Sequence, residues 1–255
     1  MSKINIRGVF FDNVNMSEAL EKSILLTESE GASVIFTPNS EIVQLCIEQS
    51  DFCNVINSAD MVIPDGAGVL LASKILKTPL KEKVAGVELA QNIIEYCCKS
   101  GKKLFLLGSK PETVDENGKI VLSTADAAAE KLKQKYPGLN ICGTSDGYFK
   151  DNESDAVIEK INSSGADIVF VCLGCPRQEK WIYEFKDRTT ASLLIGLGGS
   201  LDVFAGRVKR APDVFVKLNL EWFYRLLKQP QRLGRMMKIP KFLAQTFFNR
   251  KKEGE

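Results

Sequence analysis

Residues 61–68, MVIPDGAG, carry an apolar run into a proline, one carboxylate, Asp65, and two glycines around an alanine. No lysine follows, as it would in a loop that grips phosphate, so the chemically active group here is the acid. Two roles fit it. Asp is a favoured helix N-cap, and the glycines let the chain turn tightly into a helix. A carboxylate in the same place is also a candidate general base. A helix N-terminus keeps it ionised, and exclusion of water by a bound substrate raises its basicity again. The chain has no histidine, which removes Ser-His and Cys-His nucleophiles, the usual zinc sites and the default base. Acid-base work therefore falls to carboxylates, Lys, Tyr or Cys.

Three other stretches carry polar groups in suggestive patterns. In TPNSE (37–41), Thr37 and Asn39 either cap a helix or present the hydroxyl and amide that recognition of sugar hydroxyls requires. In GLGGSLDVFAG (196–206), Gly196, Gly198 and Gly199 let backbone amides approach a diphosphate. The G-x-G-x-x-G spacing and the ribose-binding acid about 20 residues on are missing, so a nucleotide fits but NAD is not indicated. CLGCPRQEKW (172–181) holds a C-x-x-C at Cys172 and Cys175, but Cys172 falls inside a strand, and no second C-x-x-C or His accompanies it. There Arg177, Gln178 and Glu179 open a helix, either as a solvated first turn or as ligand groups.

These groups need a scaffold, and the chain spells one out. Short apolar runs, several rich in β-branched residues, at 33–37, 60–64, 103–108, 139–143, 167–174 and 192–198 alternate with amphipathic stretches near 17–30, 40–57, 67–77, 87–100, 125–136, 153–164 and 176–187. The alternation predicts an α/β, Rossmann-like, mostly parallel sheet with helices on both faces. In such sheets ligands bind where strand ends turn into helices, which is where all four stretches fall. The opening INIRGVFFDNV reads as an edge hairpin, and 111–124 as a loop or partly ordered insertion.

With 255 residues, 44% hydrophobic and 26% charged, the chain can bury a full core as a globular protein. Seven cysteines, odd in number and mostly inside apolar segments, with no signal peptide ahead of them, predict a reducing cytoplasm. No stretch approaches the roughly 20 apolar residues of a membrane span. Net charge is +2 overall, yet residues 207–252 hold thirteen Lys or Arg against two acids. That segment also carries Trp222, Phe223, Leu226, Leu227, Phe242, Leu243, Phe247 and Phe248, with breaks at Pro230 and Pro240. Charge alone would suit nucleic acid. Short basic amphipathic helices instead favour an anionic membrane interface or a docked C-terminal helix, and nucleic acid is not expected. The expected division is a catalytic domain over 1–206 and a basic appendage over 207–255.

In order along the chain, TPNSEIV, ADMVIPDGAGV, KVAGVEL, LFLLGSKPE, KYPGLNICGTSDGYF, VCLGCPRQEKWI, GLGGSLDVFAGRVKRAP and LEWFYRLLKQPQR resemble the WecG/TagA/CpsF glycosyltransferases, TagA-like members above all. The resemblance covers the chain to about residue 240. It implies an inverting, metal-independent transferase with no cofactor. That enzyme would move N-acetylmannosamine, or a related sugar, from a UDP donor to N-acetylglucosamine on undecaprenyl diphosphate, in teichoic acid or other surface polysaccharide synthesis at the inner face of the membrane. Carried over by motif, the catalytic aspartate falls on Asp65, the cleft threonine and asparagine on Thr37 and Asn39, and the glutamine of the PRQE stretch on Gln178. The tail arginines fall on Arg225, Arg232 and Arg235.

Two departures stand out. The family's frequent arginine and aspartate in R-V-A-G-x-D are Lys83 and Glu88 here, and lysine keeps the charge but loses the bidentate fork. The insertion at 111–124 alters the rim expected of the nucleotide site. The expected substrate contacts are therefore Thr37, Asn39, Lys83, Arg177, Gln178, Gly198, Gly199, Arg210, Arg225, Arg232 and Arg235, with no metal ligands. Kept open are a non-catalytic nucleotide- or lipid-phosphate-binding protein on the same fold, a mannosaminuronate or glucose-type donor, and self-association.

Overall fold

A computed structural model describes residues 2–208, 212, 215, 221–228, 234 and 237–249. In chain order its elements are β1 (Lys3–Ile6), β2 (Val9–Asp12), α1 (Met16–Leu26), β3 (Ser33–Phe36), α2 (Ser40–Glu48), α3 (Ser50–Asn57), β4 (Met61–Val62), α4 (Ala67–Ile75), α5 (Gly86–Ser100) and β5 (Leu104–Gly108). They continue as β6 (Thr113–Val114), β7 (Ile120–Val121), α6 (Thr124–Lys135), β8 (Ile141–Ser145), α7 (Ser154–Ser164), β9 (Ile168–Cys172), α8 (Arg177–Phe185), β10 (Leu193–Gly196), α9 (Ser200–Phe204), α10 (Glu221–Lys228) and α11 (Lys238–Asn249). The contacts divide the chain into two units, one of residues 1–19, 37–85 and 210–255, the other of 20–36 and 86–209.

The second unit holds five parallel strands in the order β3-β10-β9-β5-β8. Each residue of β3, β5, β9 and β10 is buried, which explains why these strands read as unbroken apolar runs: helices cover a parallel sheet and leave no face to solvent. From β5 the chain crosses through α6 to β8 at the edge; from β9 it crosses through α8 to β10 in the opposite direction. Right-handed crossovers in opposite directions put the two helices on opposite faces. The switch in direction lies between β5 and β9, and ligands of doubly wound sheets bind outside the strand ends at such a point. The α/β, Rossmann-like expectation holds.

In the first unit, β1 and β2 pair antiparallel around Arg7 and Gly8, both at positive φ, the two-residue turn whose twist suits a hairpin. The expected hairpin is present, but as a two-stranded sheet of its own rather than a sheet edge, and it is not peripheral: Ile6, Val9 and Phe11 are fully buried. Asn57 clamps its turn, donating from Nδ2 to the Gly8 carbonyl (2.7 Å) and accepting the Phe10 amide (3.0 Å). The buried Asp12 accepts the Val62 amide at 2.9 Å, tying the hairpin to β4.

Two local readings are corrected. The single helix expected over 40–57 is broken at Gln49, which is extended (φ −138°, ψ 98°) and separates α2 from α3. The insertion at 111–124 contains a small antiparallel hairpin, β6–β7, closed by Asp115, whose carboxylate accepts the amides of Asn117 and Lys119.

The C-terminal segment ends in a packed helix. Helix α11 lies against α2 and α4, with Phe242 fully buried and Lys241 paired to Glu48 at 2.7 Å. Phe247 and Phe248 stay exposed. No helix among the described residues is long and apolar enough to cross a membrane.

Candidate active site

The groups singled out in the sequence fall at strand ends in both units, and each unit is described by itself. In the first, α2 starts at Asn39, which sits outside the helix in an extended conformation and accepts the amides of Glu41 (2.9 Å) and Ile42 (3.2 Å) through Oδ1. Asn39 is thus the N-cap that its position suggested. Capping consumes the carbonyl oxygen only; the side chain is exposed, and its two N–H donors have no partner among the described residues.

Asp65 does not occupy the corresponding place on α4. The cap position there is Gly66, at φ +119°, a conformation that L side chains rarely adopt. The acid stands one residue before that cap, half-buried, in the loop that follows β4. Two backbone bonds gather the loops around it. The Asp65 amide donates to the Pro38 carbonyl (3.3 Å), and the Val84 amide donates to the Pro64 carbonyl (3.0 Å). Thr37 and Asn39, Asp65, and Lys83 are thereby drawn to one edge of this unit.

Close packing locks that edge. A Cβ on Gly68 would lie 2.1 Å from Ser40 Oγ and 3.6 Å from Ile239 Cγ2, so α2, α4 and the start of α11 pack closely where Gly68 carries no side chain. The N-termini of α2 and α4 consequently lie side by side, adding their partial positive charge around Asp65. Arg210, Arg232 and Arg235 lie outside the described residues. Arg225 is on α10, its side chain likewise outside the description.

In the second unit, Gln178 is 3% exposed. Its Oε1 accepts the Gly198 amide at 2.8 Å and its Nε2 donates to Glu179 Oε1 at 2.8 Å. The Gly198 amide, expected to face a diphosphate, is therefore already engaged; Gly199 remains exposed beside it. Arg177 also has local partners. Its two terminal nitrogens donate to the carbonyls of Gly147 and Phe149, and the guanidinium lies 4.5 Å over the Phe149 ring. It fastens the loop after β8 to the start of α8.

At this edge the solvated first turn does not hold for Gln178 and Glu179, and one further feature was not singled out in the sequence. Glu179, 2% exposed, is a buried acid. Burial pushes its carboxyl above the ordinary range, offset in part by its own backbone amide, the Gln178 amide and the Cys175 thiol. At the switch point, Ser109 (φ +62°) follows β5 and donates from Oγ to Asp202 Oδ2 at 3.1 Å. Asp202 was in plain sight within GLGGSLDVFAG, but its partner is 93 residues away. Of the C-x-x-C pair, Cys172 is buried and its thiol is pushed up to about 12, first by burial, which leaves it a poor nucleophile.

The arrangement is thus an acid beside hydroxyl- and amide-bearing loops in one unit and, in the other, a glycine turn after β10 with the Ser109–Asp202 pair after β5. Along the whole chain, residues 4–255 match the model of the glycosyl transferase WecG/TagA/CpsF family. The chain belongs to that family. It is a sugar-transferring enzyme, as the comparisons with curated relatives agree. It is 38% identical over 219 residues to a protein of Bacillus spizizenii, covering 86% of this chain and 80% of that one. It is 36% identical over 245 residues to one of Bacillus subtilis (95% and 90%), and 36% over 244 residues to one of Staphylococcus aureus (95% and 91%). All three relatives are called N-acetylglucosaminyldiphosphoundecaprenol N-acetyl-beta-D-mannosaminyltransferase.

Proposed function

We propose that this family member transfers N-acetylmannosamine from a UDP donor to N-acetylglucosamine on undecaprenyl diphosphate, with inversion and without a metal. The sugar and acceptor follow the names of its relatives. The observation that carries the chemistry is Asp65 held outside α4 by Gly66 and tied to the Asn39 loop through Pro38. In the proposed step the acceptor hydroxyl attacks the anomeric carbon and gives its proton to the Asp65 carboxylate. The bond from that carbon to the UDP oxygen breaks on the opposite face, and UDP leaves with the electron pair. General-base help of this kind contributes about 10²–10⁴-fold.

The Asn39 side-chain amide and Thr37 hydroxyl hold sugar hydroxyls in line, where small displacements cost much rate. Lys83 and the tail arginines Arg210, Arg225, Arg232 and Arg235 offset charge on the departing diphosphate. The turn carrying Gly198 and Gly199 serves the diphosphate through the exposed Gly199 backbone. The basic tail, with Phe248 bare at the end of α11, serves an anionic membrane surface where a lipid-linked acceptor resides.

The test is incubation with UDP-N-acetylmannosamine and a short-chain prenyl-diphosphate-N-acetylglucosamine, following UDP release and product mass. Release coupled to a disaccharide product is expected. Binding of UDP with no release on any sugar donor would make this a binding protein instead.

A further inference from the structure

Helix α8 opens with two buried polar side chains whose contacts form a short relay. The Glu179 carboxyl takes the Gln178 Nε2–H, and Gln178 Oε1 takes the Gly198 amide 20 residues further on. We infer that Glu179 is a positioning residue for the transfer site, orienting the Gln178 amide so that it holds the Gly198 turn. The inference rests on the proposed function above, in which that turn belongs to the transferase site.

Three observations carry it. First, an amide can present either end, and here both ends are specified: Gly198 N–H requires an acceptor and the Glu179 carboxyl a donor. Second, the space is made to measure. A Cβ on Gly196 would lie 2.7 Å from Gln178 Nε2 and 3.2 Å from its carboxamide carbon, so a glycine in β10 is what admits the side chain. Third, Glu179 Oε2 has no hydrogen-bond partner among the described residues. A buried carboxyl is costly to desolvate, and the side-chain partners of this one are Gln178 and the Cys175 thiol beside it. An apolar side chain of the same length would fill the space at less cost, so what the acid supplies is the acceptor for Gln178.

The test compares Glu179→Gln, Glu179→Met and Gln178→Ala in the full-length protein, by amide hydrogen exchange at Gly198 and by steady-state turnover. Gln keeps one carbonyl acceptor and places its NH₂ where Oε2 already lacks a partner; Met keeps the length and removes the acceptor. Exchange at Gly198 is expected to speed up about tenfold, the scale of one hydrogen bond, in Glu179→Met and Gln178→Ala, and to stay close to the parent in Glu179→Gln.

Turnover is expected to fall by a similar factor in kcat in Glu179→Met, with donor KM little changed and most activity restored by Gln. The double variant Gln178→Ala/Glu179→Met should be no slower than Gln178→Ala alone. If Glu179→Met does not fold, Glu179→Asp, which withdraws the acceptor by one methylene, takes its place with the same expectations. Unchanged Gly198 exchange, or losses that add in the double variant, overturns the inference. The expected exchange changes in a chain that transfers no sugar would leave the relay standing and overturn the proposed function.

Discussion

The Asp65 amide donates to the carbonyl of Pro38, so the acid and the Asn39 cap one residue beyond that proline move as one piece. Removing the carboxylate should leave this backbone bond and the fold intact. Asp65→Asn is expected to lower kcat by about 10²–10⁴-fold while UDP affinity, read by calorimetry, changes little. Turnover near that of the parent would remove Asp65 as the base.

The contact between Gly68 and Ser40 should be intolerant of even a methyl group. Gly68→Ala places a Cβ 2.1 Å from Ser40 Oγ, and overpacking of this sort costs about 1–3 kcal/mol. Denaturant unfolding measures the loss. Ser40→Ala in the same chain should recover part of it, because the next nearest atom, Ser40 Cβ, would be 3.2 Å away.

Glu179 gives stability a pH slope of definite sign. Its carboxyl is raised above the ordinary value of 4.5 by burial, so the folded chain holds the proton more tightly than the unfolded one. Its contribution is greatest below that ordinary value and declines as pH rises through the folded pKa. Glu179→Gln has no proton to lose. The melting temperature of the variant relative to the parent is therefore expected to be higher at pH 8 than at pH 5.

On α11 the two ends of the amphipathic face can be separated by substitution. Phe242→Ala empties a fully buried site and should cost about 3–5 kcal/mol, exposing the C-terminal helix to limited proteolysis. Phe248→Glu alters an exposed ring, 79% accessible. It should reduce sedimentation with anionic liposomes and leave turnover on a soluble short-chain acceptor near the parent value.

The strands were legible because β3, β5, β9 and β10 are buried on both faces, and the unbroken apolar run that follows from this is a local signal. Gln49 was not legible: α2 and α3 share an apolar rhythm that continues across it, and the break shows only in its dihedrals. The β6–β7 hairpin did have a signal, Asn117-Gly118 between two β-prone pairs, obscured by the surrounding charges. Within the site, the Asn39 cap could be read from the residue itself. The displacement of Asp65 from the cap could not, because Asp and Gly are both acceptable there and Gly66 takes it by virtue of its φ. The partners of Gln178 and Arg177 lie 20 to 30 residues off, beyond any periodic pattern.

The seat of α11 on α2 and α4 changes what shortening this chain would mean. Cutting before residue 207 removes Ile239 from beside Gly68 and Phe242 from its buried site, baring apolar wall next to the loops that carry Asn39 and Asp65. An inactive truncated protein would thus be ambiguous between a lost lipid grip and displaced Asn39 and Asp65 loops. Point substitutions at the far end of α11 disentangle the two.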